Sequence, residues 1–87
     1  MPRFFFTVHD DDVTPDDEGV ALPDRAAAIA EATRSARGLA AEGARCGCLC
    51  LWHRIEVSDE DGMPVATVTF REAVTVRDSP QGSPDGL

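Results

Sequence analysis

The sequence predicts a small α+β domain: an antiparallel sheet with elements in the order β-β-α-β-β, and one long helix packed on one face. Three observations predict it. Residues 3–9 alternate with period two, an Ala-rich segment after Asp24 repeats apolar positions three and four apart, and two more alternating runs flank an Asp-Gly turn. The 87 residues fit one domain, expected over 1–77. A disordered tail is expected over 78–87, which holds two Ser-Pro pairs and two glycines.

In the first strand, residues 3–9, Phe4, Phe6 and Val8 form a wholly apolar set. The other set, Phe5, Thr7 and His9, is apolar only at Phe5, so Phe4, Phe6 and Val8 are expected to face the core. Residues 10–19 carry six carboxylates with Pro15 and Gly19, a turn composition. A short return strand at Val13-Thr14 would make a hairpin with the first, ending where Pro15 lacks the N–H of a central strand. The helix starts at the N-cap Asp24 and is expected to end near Gly43 or Ala44. Ile29, Ala32, Ala36, Leu39 and Ala40 form its expected buried stripe. Glu31 with Arg34, and Glu42 with Arg45, are i,i+3 pairs on the opposite side, contributing about 0.2–0.5 kcal/mol each. A stripe made mostly of alanine lets the helix lie close to a sheet that supplies the large side chains.

The second hairpin pairs residues 52–58 with 64–70 through Asp59-Glu60-Asp61-Gly62. His53, Ile55 and Val57 share one face, as do Ala66, Val68 and Phe70. Ala73-Val74-Thr75-Val76 is expected to extend the sheet or form an edge turn.

Composition excludes several functions. Hydrophobic residues at 43% and charged residues at 28% are those of a folded domain. A formal net charge of −8 repels phosphate backbones and anionic lipid, so neither nucleic acid nor membrane is an expected partner. A basic protein suits that charge better. No secretory leader is visible and no run approaches the roughly 18 apolar residues of a membrane span. The expected compartment is the cytoplasm, with reduced thiols.

The start Met1-Pro2-Arg3-Phe4-Phe5-Phe6, the segment Asp17-Glu18-Gly19-Val20-Ala21-Leu22-Pro23-Asp24, and the run Trp52 to Gly62 together resemble a family of small alphaproteobacterial proteins known as a domain of unknown function. The likeness covers about residues 1–76 and departs from the family pattern at Cys46 to Cys50. It implies the fold and a bacterial origin, and supplies no activity or catalytic residue. A looser likeness in layout is to HicB-type antitoxins, without the DNA-binding segment many of them carry.

Cys46, Cys48, Cys50 and His53 are the right ligand types for zinc. Their spacing is poor for it, because three alternate residues in extended chain span about 13 Å. The favoured reading of the same cysteines is three small, partly buried hydrophobes at a helix end, with no metal bound. The acidic run fits no EF-hand register: counted from Asp10, the required Gly and Glu positions hold Pro15 and Ala21. A Cys50–His53 pair lacks an orienting group in the sequence, and no Gly-rich phosphate loop is present. Arg3, Arg54, Arg71 and Arg77 are expected to pair across strands with Glu56 and Glu72.

The functional expectation is therefore a non-enzymatic protein-interaction module with no cofactor. Phe5 and Trp52 are its expected contact residues, and the expected partner is a second copy at the open sheet face or an edge strand. The alternative is an antitoxin-like or regulatory protein that binds a basic protein. The third reading is a metal- or thiol-dependent protein using the Cys46–Cys50 cluster.

Overall fold

The computed structural model describes residues 1–77, and the expected tail over 78–87 lies outside them. The elements are β1 (Arg3–His9), β2 (Val13–Thr14), β3 (Val20–Ala21), α1 (Arg25–Arg45), β4 (Arg54–Ser58), β5 (Pro64–Thr69) and α2 (Phe70–Ala73). The five strands form one antiparallel sheet in the order β2-β1-β4-β5, with β3 also paired to β1. This is the α+β architecture expected, with two elements added, β3 and α2.

β1 is central because both its edges are used. Along one edge it pairs with β4 from Phe5 opposite Ser58 to His9 opposite Arg54. Along the other lie β2, with Val8 opposite Thr14, and then β3, with Phe4 opposite Val20. If the register of β2 ran on, Phe4 would meet Glu18; the chain slips by two residues between the two short strands. At the slip the Phe6 N–H donates to Asp16 Oδ2 (3.1 Å) in place of a backbone carbonyl. Asp16 Oδ1 accepts from the N–H groups of Glu18 (3.2 Å) and Gly19 (3.1 Å). One carboxylate thus closes the gap in the ladder, which otherwise would leave a half-buried donor unpaired. Burial pushes the Asp16 carboxyl up, but the donors from Gly19, Phe6 and Glu18 outweigh it and hold it below its ordinary value of 3.8.

α1 begins as expected: Asp24 accepts the Ala27 N–H at 2.8 Å. Its two i,i+3 ion pairs, Glu31–Arg34 and Glu42–Arg45, are formed. The buried stripe, however, is Ala28, Ala32, Ala36 and Ala40, a strict i,i+4 row. Ile29 packs at its flank, and Leu39, expected inside, is 39% exposed. With alanine on the contact line the helix approaches the sheet closely, and Phe4, Ile55, Val57, Val68 and Phe70 fill the space between. Phe6 and Val8 pack against this core from the same face of β1.

Residues 73–76 neither extend the sheet nor form an edge turn. Thr69 and Glu72 make a reciprocal capping box that turns the chain from β5 into α2. The Glu72 carboxyl, accepting from the Thr69 backbone N–H and side chain, is held below its ordinary value. Arg37 Nε then donates to the Ala73 carbonyl at 2.7 Å, tying α2 to α1. No helix among the described residues is long and apolar enough to cross a membrane.

Candidate functional site

The residues after α1 do not run extended. Cys46 is the C-cap of the helix and Gly47 has φ +102, a backbone that L side chains rarely adopt. The Gly47 N–H donates to the Ala44 carbonyl (3.0 Å) and the Cys48 N–H to the Gly43 carbonyl (2.7 Å). These two bonds are a Schellman motif, with Gly47 at C′ and Cys48 at C″. The fold-back is tight: a Cβ on Gly43 would lie 2.6 Å from the Cys48 carbonyl oxygen. The loop is then pinned to α2. The Phe70 N–H donates to the His53 carbonyl (2.8 Å), and the Arg71 N–H to the Leu51 carbonyl (3.2 Å).

The turn gathers what an extended chain would have spread. Cys46, Cys48, Cys50 and His53 line one cavity of about 180 Å³, with Leu39, Ala40, Gly43, Phe70 and Asp11. Cys48 and Cys50 are joined as a disulfide with Cα atoms 5.9 Å apart, while Cys46 carries a free, exposed thiol. His53 stacks edge-on against Phe70 (5.5 Å) and Trp52 (5.3 Å). Its side chain is 11% exposed, and its Nε2 is buried without a hydrogen-bond partner, 3.6 Å from Asp11 Oδ1. The four candidate metal ligands are thus brought together, but two sulfurs bond each other. A thiol and an imidazole remain, short of the four ligands of a structural zinc site. Among the described residues no group of three or more His, Cys, Asp or Glu side chains is arranged to hold a metal ion.

The expected contact residues Phe5 and Trp52 are not brought together. Phe5 is half-buried opposite Ser58. Trp52 is 70% exposed, six residues earlier in the chain beyond the end of β4. The length of β4, about 13 Å by strand rise, lies between them. Trp52 follows the cysteine loop, which also exposes Leu49, and Leu39 lines the cavity beside that loop.

The open face of the sheet holds a shallower depression lined by Thr7, His9, Glu56, Val57, Ser58, Gly62 and Pro64. His9 Nε2 lies 2.5 Å from Glu56 Oε1, and Arg54 lies 3.7 Å from the same oxygen. Arg54 thus pairs with Glu56 along β4 and not across strands as expected, because both lie on that strand; the cross-strand partner of Glu56 is His9. Arg3 instead reaches the carbonyls of Glu18 and Gly19. Ser58 stands opposite Phe5, four residues along β1 from His9, about 13 Å by strand rise, so it is no nucleophile for that imidazole.

The sequence of one protein family, described as a domain of unknown function (DUF6894), matches residues 3–71. The chain belongs to this family. The DUF6894 match runs from the first residue of β1 to the second of α2, and so takes in the whole sheet, α1 and the cysteine loop. A domain of unknown function brings no catalytic residue, ligand or partner to the site. No curated protein and no solved structure matches the chain.

Asp11, Leu39 and Phe70 join the cavity without having been marked by the sequence. Asp11 is one of three consecutive aspartates, and only the β1–β2 turn decides which of them meets the loop. Gly47 did carry a signal, a glycine just past a helix end, but the earlier Gly43 competes with it.

Proposed function

We propose that the chain is a non-enzymatic protein-interaction module that binds a basic partner at the cysteine end of α1. The observation that carries this reading is Trp52, 70% exposed and edge-on to His53, whose ring lines a cavity together with the Asp11 carboxylate, 91% exposed. An arginine or lysine side chain finds there an aromatic face and a carboxylate, the two groups that hold a cation at a protein surface. Leu39 and Leu49 supply apolar area around it, and the net charge of −8 steers a basic partner inward. An antitoxin-like role is a special case of this reading, in which the basic partner is a toxin.

Trp52 is the one tryptophan, so its emission reports the test directly. Titration with an oligo-arginine peptide is expected to shift the emission saturably, with weaker binding as salt rises. Asp11→Asn is expected to weaken binding, while Asp61→Asn, which removes the same charge from the β4–β5 turn, leaves it nearly unchanged; Trp52→Phe has no tryptophan emission, and isothermal titration calorimetry is expected to show weaker binding for it. Equal losses for Asp11→Asn and Asp61→Asn reduce the effect to bulk charge and overturn the reading.

Self-association is the second reading, and the exposure of Met63 at the start of the edge strand β5 favours it. The open sheet face offers a second copy little to bury, being lined by Thr7, His9, Glu56 and Ser58. Arg25 Nε already occupies the Val65 carbonyl in β5. Light scattering over a concentration series tests it, and a strict monomer sinks it.

A further inference from the structure

The interaction reading uses Trp52 and Asp11 and leaves the three sulfurs unexplained. Cys48 and Cys50 form a disulfide across two residues, Cys46 is a free thiol two residues before it, and all three line the same cavity with His53. We propose that this cavity is a thiol–disulfide exchange site whose substrates are low-molecular-weight thiols and their disulfides.

The disulfide is badly placed to be a staple. A crosslink stabilises by closing a loop, and its entropic effect grows with loop length, so one that spans two residues is near the minimum. The loop it sits in is already fixed by the Schellman bonds from Gly47 and Cys48 and by the bonds to α2. Exposed disulfides of this sort are the labile ones. Cys48 is exposed and Cys50 half-buried, so an incoming sulfur meets Cys48 first.

The chemistry balances within these groups. A substrate thiolate attacks Cys48 Sγ and forms a new S–S bond; the Cys48–Cys50 bond breaks, and its electron pair leaves on Cys50 Sγ as a thiolate. His53 Nε2, buried on the same cavity without a partner, is the group positioned to exchange a proton with it. Two resolutions follow. A second substrate thiolate attacks the substrate sulfur of the mixed disulfide, releasing Cys48 as a thiolate. Two substrate thiols are then oxidised to one disulfide, and the Cys48–Cys50 pair is reduced to two thiols. Alternatively the Cys46 thiolate attacks Cys48 Sγ, expels the substrate thiolate and moves the protein disulfide to Cys46–Cys48. Residues two apart lie within about 7 Å, inside the reach of a disulfide.

The test equilibrates the full chain with reduced and oxidised glutathione over a range of ratios, quenches with acid, alkylates, and counts thiols by intact mass. The expected result is one free thiol at the oxidising end and three at the reducing end, interconverting reversibly. Cys50→Ser is expected to take up glutathione at Cys48 and pass on to a Cys46–Cys48 disulfide, and Cys46→Ser with Cys50→Ser, which leaves no resolving thiol, to trap glutathione on Cys48, each located by peptide mapping. His53→Gln is expected to slow the opening several-fold and leave the final thiol count unchanged, a kinetic effect that a merely structural histidine would not give. Three free thiols at every ratio overturn the proposal, as does a disulfide unmoved by reduced glutathione, or a trapped adduct on Cys46 alone. A stoichiometric zinc adduct in native mass spectra of the reduced chain would reassign the cluster to metal binding.

Discussion

Replacing Asp16 by alanine removes the one group that bridges the slip between β2 and β3. The Phe6 N–H is half-buried and loses a charged acceptor, a loss of about 1.5–3 kcal/mol. The Glu18 N–H is exposed, where water replaces the carboxylate, and the Gly19 N–H is half-buried, so together the two add about 1 kcal/mol. The sum is about 3 kcal/mol, which in a domain of this size lowers Tm by about 12–24 °C. Asp16→Asn keeps an acceptor oxygen and loses the charge, so it should fall between the two. The sign with pH follows from the depressed carboxyl. Its stabilisation is fully present above the unfolded value, close to 3.8, and is lost as pH falls through the lower folded value. The gap between wild type and Asp16→Ala should therefore close in acid. Urea unfolding followed by far-UV circular dichroism at neutral and acid pH measures both effects. If Asp16→Ala lies within about 0.5 kcal/mol of wild type at neutral pH, the ladder does not depend on that carboxylate.

Gly43→Ala places a methyl against the Cys48 carbonyl; it should cost about 1–3 kcal/mol and change the alkylation rate of Cys46, read by thiol labelling. Ala32→Leu wedges α1 off the sheet and should destabilise by a similar amount or more, about 1–3 kcal/mol by chemical denaturation, while Ala30→Leu on the exposed side should be near neutral. Ile55→Ala, fully buried beneath α1, should cost about 2–5 kcal/mol in the same assay. Thr69→Ala removes the capping box and should cost about 0.5–2 kcal/mol, with faster amide exchange at Glu72.

The sequence made the sheet legible where burial imposes a period. Phe4, Phe6 and Val8 against Phe5, Thr7 and His9, and Ile55 and Val57 against Val68, announce their faces because one side of each strand meets α1. Asp24 and Asp59 to Gly62 announce the helix start and the hairpin by local hydrogen bonding. The remainder depends on contacts no window contains. β3 is two residues long, and its pairing exists because Asp16 closes the slip beside it. Leu39 was misplaced because alanine is spread around α1 and marks no face; only the sheet selects the Ala28–Ala40 row. The cysteine site was half visible. Its residue types suggested sulfur chemistry, but alternation implied an extended run, and the left-handed turn at Gly47 is what folds the three sulfurs into one cavity. Phe5 and Trp52 both read as exposed aromatics, and the register between β1 and β4 puts them at opposite ends.

The proposed binding surface is one location, the segment from Leu39 through His53. Backbone chemical-shift mapping during titration with an oligo-arginine peptide tests it most directly. Perturbations are predicted at Asp11, Leu39, Cys46 to Cys50, Trp52 and His53. Perturbations confined to Thr7, His9, Glu56 and Ser58 would contradict it and return the function to the open face of the sheet.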